Sequence, residues 1–95
     1  EPAFSEDMDA LIARIETAEP PLPDVILNMS GVTAINSSNI AQMLRVRKQL
    51  AQDDARLRVC AVTDSIWSVM LVTSLDQVFD FTEDVPTSIA SLQVE

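Results

Sequence analysis

The sequence predicts an α/β domain with a largely parallel sheet flanked by helices. Two observations lead there. Helical apolar stripes alternate with short apolar runs along the chain, in the order α-β-α-β-α-β-α. Alternation of this kind favours parallel strands joined by helical crossovers. The second observation is size: 95 residues, 47% hydrophobic and 22% charged, suffice for one domain with one core. No repeat, low-complexity segment or internal linker divides the chain.

Residues 5–18 read as the first helix, because Met8, Leu11, Ile12 and Ile15 form one stripe. Ser5 is the expected N-cap, and Glu6, Asp7 and Asp9 suit the positive end of the helix dipole. Pro20, Pro21 and Pro23 forbid continuation. Residues 24–29, "DVILNM", read as a buried strand. A loop over 30–36 holds Gly31. Residues 38–52 read as the second helix, with Ile40, Met43, Leu44, Val46, Leu50 and Ala51 on one broad side and Arg45, Lys48 and Gln49 on the other. Arg47 falls inside the apolar arc, so its stem is expected to pack while its head reaches water. After a turn at Asp53-Asp54, residues 57–62, "LRVCAV", give a second strand with both faces partly covered. Thr63 or Asp64 caps a third helix that runs to residue 74. Residues 77–81, "QVFDF", form a third strand, residues 82–86 turn, and 87–93 make a last helix. The expected core joins Val25, Leu27, Leu57, Val59 and Ala61 to Met8, Leu11, Ile12, Ile15, Ile40, Leu44 and Leu50.

Composition excludes several functions. The net charge is −9, from 15 acidic and six basic residues. Nucleic acid and anionic membranes both require a positive footprint, so neither is an expected partner. No apolar stretch reaches the ~18 residues of a membrane helix and no signal peptide is visible, so the reading is a cytoplasmic chain without direct membrane insertion. Cys60 is alone, beside Val59 and Ala61, and reads as a buried thiol. There is no histidine, hence neither the commonest general base nor the commonest metal ligand. The single glycine rules out a glycine-rich phosphate loop. Neither a metal, nor a cofactor, nor an enzymatic activity is expected. Two serines nevertheless stand between two asparagines, Asn36-Ser37-Ser38-Asn39, where a strand feeds a helix. Loops leaving the carboxyl ends of strands are where sites gather in such sheets.

With strand, loop and serines in view, "VILNMSGVTAINSSNI" resembles the STAS domain family, and more narrowly the bacterial anti-sigma factor antagonists. Their pattern is an apolar strand ending in Asn or Asp-Leu, a loop, then Asp-Ser-Ser/Thr-Gly opening a helix. The strand "LRVCAV" and the segment "IWSVMLVTSLDQVFDF" continue it, so the resemblance covers about residues 24–81. Asn36 stands where the family has Asp, Asn39 where it has Gly, and Ser74 where it has the Gly before Leu75. Family members also carry two strands before the first helix, which are missing here. The resemblance therefore implies a STAS-like domain that is N-terminally incomplete.

It also implies a phosphorylation switch without catalysis. The unphosphorylated antagonist binds an anti-sigma factor that is itself a serine kinase, and phosphorylation of the first motif serine ends the binding. That serine maps to Ser37. Asn36, Ser38 and Asn39 are expected in the partner surface. Arg45, Arg47 and Lys48, half of all basic residues, offer a positive patch for an acidic partner surface, or are a solvated face. Trp67 and Leu71 lie off the core face of the third helix: they are covered by further chain, or they anchor an interface such as a homodimer. The alternative function is a STAS domain or subunit docked on a membrane transporter of lipids or anions, without phosphorylation.

Overall fold

Three short strands pair as one parallel sheet in the computed structural model, which describes residues 2–94. The elements are α1 (Pro2–Thr17), β1 (Val25–Asn28), α2 (Ser37–Ala51), β2 (Leu57–Cys60), α3 (Asp64–Val72), β3 (Asp80–Thr82) and α4 (Val85–Val94), with a 3-10 turn, Leu75–Gln77, before β3. The sheet order is β1-β2-β3. Register aligns Leu27 with Val59 and Val59 with Phe81, so one face carries all three. Onto that face pack Met8, Ile12 and Ile15 of α1, Met43, Val46 and Leu50 of α2, and Ile66 and Met70 of α3. Each fully buried side chain of this size contributes about 2 kcal/mol of transfer free energy. The outer edge of β1 pairs with no strand among the described residues.

The opposite face is polar. Alternation along β2 puts Arg58 and Cys60 there, and α4 covers them. Arg58 is 4% exposed, and its guanidinium reaches Ser91 Oγ of α4 at 3.0 Å and Asp80 Oδ2 at 3.2 Å. Thr82 Oγ1 bonds Ser88 Oγ, and Arg56 Nη2 donates to the Leu92 carbonyl. α4 thus buries a serine side, Ser88 above all, while Ile89 faces water. At the sheet's start Asp24 accepts from the Arg56 N–H at 2.7 Å and from its guanidinium at 3.2 Å. The backbone bond from Arg56, then its side chain, hold the Asp24 carboxyl below its ordinary value.

Several boundaries differ from expectation. α1 begins at Pro2, not after Ser5, because proline suits the first turn of a helix, where its missing N–H is not needed. Ser5 is therefore inside the helix. Ala61 and Val62 leave β2, since Ala61 turns to φ +58° and donates its N–H to the Glu83 carbonyl. Val78 and Phe79 are not strand. Both donate to the Leu75 carbonyl and close the 3-10 turn, and the buried Phe79 ring is apolar for the core's sake. β3 follows one step later. Leu44, expected in the core, is 38% exposed, because the buried line of α2 runs through Asn39, Met43, Val46 and Leu50 instead. Val25, Leu11, Ile40 and Ala61 are half-buried. α3 stops at Val72 and α4 is longer than the 87–93 expected.

Ser74 explains one departure from the family pattern. It takes a left-handed conformation, φ +61° and ψ 17°, between α3 and the 3-10 turn. Glycine adopts this region freely, whereas a residue with a Cβ is strained there by about 1 kcal/mol. Ser74→Gly is expected to raise stability by up to ~1 kcal/mol in urea unfolding, less the extra chain entropy glycine brings to the unfolded state.

Candidate functional site

The loop after β1 turns at Gly31 (φ +83°) and delivers Asn36 as N-cap of α2. Asn36 Oδ1 accepts from the Asn39 N–H at 2.9 Å, and Asn39 Oδ1 accepts from the Asn36 N–H at 3.0 Å. This is a capping box in which two asparagines satisfy each other's backbone. Neither brings a charge, so the motif itself sets no carboxylate against an anion arriving at the helix end.

Asn39 does more than cap. It is fully buried, and its Nδ2 donates to Ser5 Oγ of α1 at 2.7 Å and to Gln42 Oε1 at 3.1 Å. Gln42 Nε2 in turn donates to the Ser5 carbonyl at 3.1 Å and to Asp9 Oδ1 at 2.8 Å. The serine-bearing turn is therefore pinned to α1. Ser5 has a role, as Asn39's partner rather than as a cap.

Between the two asparagines the serines are left exposed. Ser37 is the first residue of α2, and neither Ser37 nor Ser38 hydrogen-bonds through its side chain to another described residue. Their amide N–H groups lie among the donors a helix N-terminus leaves without intrahelical acceptors. With the cap assigned to Asn36, Ser37→Ala is expected to change stability by less than ~0.5 kcal/mol, as at other unbonded surface positions. Asn36→Ala is expected to lower it by about 1 kcal/mol. Paired urea titrations separate the two.

The other sequence-predicted residues divide. Arg45 turns to Glu16 of α1 at 2.7 Å, and Arg47 Nε donates to the Val78 carbonyl at 2.9 Å on the β3 side. The two arginines point to different neighbours, and Lys48 is exposed. Thr63, not Asp64, caps α3, through Thr63 Oγ1 and the Ile66 N–H. Trp67 is 36% exposed and meets the Phe81 ring edge-on, centroids 5.2 Å apart, while Leu71 is 51% exposed. Phe81 also lines a shallow cleft of about 420 Å³ with Ala61, Val62, Thr82 and Glu83, at the carboxyl end of the sheet. Sequence reasoning missed this cleft, because Ala61, Phe81 and Glu83 meet only once β2 and β3 pair.

Basic residues are segregated along the molecule. α1 and α2 run side by side with their N-termini together, since Ser5 meets Asn39 and Glu16 meets Arg45. The carboxyl ends of all three strands lie at that same pole. There stand Glu6, Asp7, Asp9, Asp64, Glu83 and Asp84, all exposed. All six basic residues lie away from this pole, late in α1, from the middle of α2 onward, or at the start of β2, among the acidic Glu16, Glu19, Asp24, Asp53, Asp54, Asp76 and Asp80. Among the described residues no group of His, Cys, Asp or Glu side chains could hold a metal.

The sequence matches the STAS domain over residues 2–88. The chain belongs to the STAS domain family. Among solved structures it is similar to an anti-sigma-factor antagonist (STAS) domain protein from Planctomyces limnophilus, with a TM-score of 0.80 and 21% sequence identity, over 90% of this chain and 73% of that one. No curated protein matches the sequence. As a STAS domain it has the expected parallel three-stranded sheet and four flanking helices. STAS domains are in general non-enzymatic regulatory domains. No helix among the described residues is long and apolar enough to cross a membrane.

Proposed function

We propose that this STAS domain is a cytoplasmic regulator of transcription of the anti-sigma factor antagonist type. It binds an anti-sigma factor that is also a serine kinase, and it is released when that kinase phosphorylates Ser37. The observation that supports this reading most is the state of Ser37: an exposed, unbonded hydroxyl on the first residue of a firmly capped helix. Such a group needs no base of its own, because a kinase supplies the chemistry. Phosphate adds about −1.5 to −2 charges, and the amides and dipole at the helix start accommodate an anion. The modification then alters an interface and leaves the fold in place. Asn36, Ser38 and Asn39 flank the modified group, and of these only Asn39 is buried.

Incubating the chain with each serine-kinase anti-sigma factor of its cell and mapping the label by mass spectrometry tests the assignment. Label on Ser37, lost in Ser37→Ala and retained in Ser38→Ala, is the expected result. Label on Ser38 rejects the residue. No label, together with tight binding to a transporter subunit that Ser37→Asp does not disturb, supports the transporter-docked reading instead.

A further inference from the structure

We infer that the cleft at the carboxyl ends of β2 and β3, lined by Ala61, Val62, Phe81, Thr82 and Glu83, docks a basic segment that inserts an apolar side chain. The inference deepens the proposed function and rests on it, because the cleft and Ser37 share one pole of the molecule. The floor is apolar, made by Ala61, Val62 and Phe81. Trp67 stands edge-on to Phe81, and Leu71 follows one turn along α3. Trp67, 36% exposed against half-buried Phe81, is of the residue type most enriched among interface anchors.

Charge selects the occupant. Glu83 lines the cleft itself, Asp84 follows it in sequence, and Asp64 begins α3 at the same pole. No lysine or arginine lies at this pole, since all six are toward the other half. A second copy docked through the same pole would set this acidic rim against itself, the half of the chain that holds its basic residues also carries Glu16, Glu19, Asp24, Asp53, Asp54, Asp76 and Asp80, and an acidic partner would meet the same repulsion. A segment with Lys or Arg on either side of an apolar residue gains both the floor and the rim. On this account Arg45, Arg47 and Lys48 are not the partner patch.

The account also fits a release on phosphorylation. Basic surroundings steer the partner to the pole, while a kinase holds its nucleotide phosphates against the Ser37 hydroxyl. Once Ser37 is phosphorylated, like charge stands against like at that one contact.

The test is a titration of the isotope-labelled chain, followed by NMR, with two short synthetic peptides. Both carry the same central leucine, flanked by lysines in one and by glutamates in the other. The lysine peptide is expected to shift the Trp67 indole and the amides of Val62, Phe81 and Glu83. Its affinity should fall by about tenfold or more between about 20 mM and about 300 mM salt. Glu83→Gln with Asp64→Asn should weaken it, and Trp67→Ala should reduce what remains at high salt. Equal binding of the glutamate peptide, or shifts confined to the half that holds Arg47 and Lys48, would overturn the inference. So would concentration-dependent dimerisation that Trp67→Ser abolishes, because the occupant would then be a second copy. The titration contains no kinase, nucleotide or phosphoserine, so its failure and a failure of Ser37 labelling are separate results.

Discussion

Asn39→Ala is expected to destabilise the domain by about 2–3 kcal/mol, the largest stability effect of any polar substitution near the site. The change removes the acceptor for the Asn36 N–H and both Nδ2 bonds, to Ser5 and to Gln42. Each such bond contributes about 1 kcal/mol net, and a buried partner left without one costs more. The Asn39 side chain has no access to water, so water does not replace these bonds. In a domain of this size the loss corresponds to a fall in Tm of roughly 10 °C or more. Urea unfolding at unchanged m-value measures it. Ser5→Ala is expected to cost about 1 kcal/mol, and the Ser5–Asn39 double-mutant cycle to show coupling of similar size. A loss below ~0.5 kcal/mol for Asn39→Ala would mean that the buried asparagine does not tie α2 to α1.

Ser37→Asp is expected to have the largest effect on binding, weakening an anti-sigma partner by at least ~10-fold, or about 1.4 kcal/mol. Under the proposed function it puts a permanent charge at the residue that faces the kinase's nucleotide phosphates, where phosphoserine puts nearly two. Ser37→Ala should bind like the parent, because the hydroxyl makes no bond that the helix needs. Circular dichroism and urea midpoints of both variants should stay near those of the parent, which separates a lost interface from a lost fold. Calorimetric titration against the purified, nucleotide-bound partner reads the affinity.

Much of the fold was legible in the sequence, and the residues show why. Met8, Ile12 and Ile15 sit at a helical period with no competing signal, and the proline run ends α1 decisively. "VIL" and "LRVC" are short, β-branched and bounded by turns, so two strands were located closely. The third was misplaced because an apolar pair can serve a strand or a buried turn equally well, and Val78-Phe79 served the turn. Position in the sequence also hid the role of Asn39. A polar residue at a helix start reads as surface, and only the arrival of Ser5, 34 positions earlier, shows it as a buried bolt. The polar side of α4 was hidden likewise, because a helix that buries serines over an arginine breaks the apolar-inward rule. Segregated charge cannot be read along a chain at all. Strands and helices reverse direction, so residues 9, 64 and 83 gather only in three dimensions.

For the site, the order of strand, loop and serines was enough to single out Ser37 and Ser38, and the structure leaves both accessible. Which asparagine capped the helix was not legible, since Asn36, Ser37 and Ser38 all suit an N-cap by type. The geometry gives the cap to Asn36 and leaves Ser37 available for modification.

The central claim is that the state of the Ser37 hydroxyl controls partner binding. The most direct measurement compares the affinity of one serine-kinase anti-sigma factor for two preparations of the chain, unmodified and fully phosphorylated on Ser37. The account predicts tight binding of the first and a loss of at least ~10-fold in the second, restored by dephosphorylation. Equal affinity of the two preparations for that partner would contradict it.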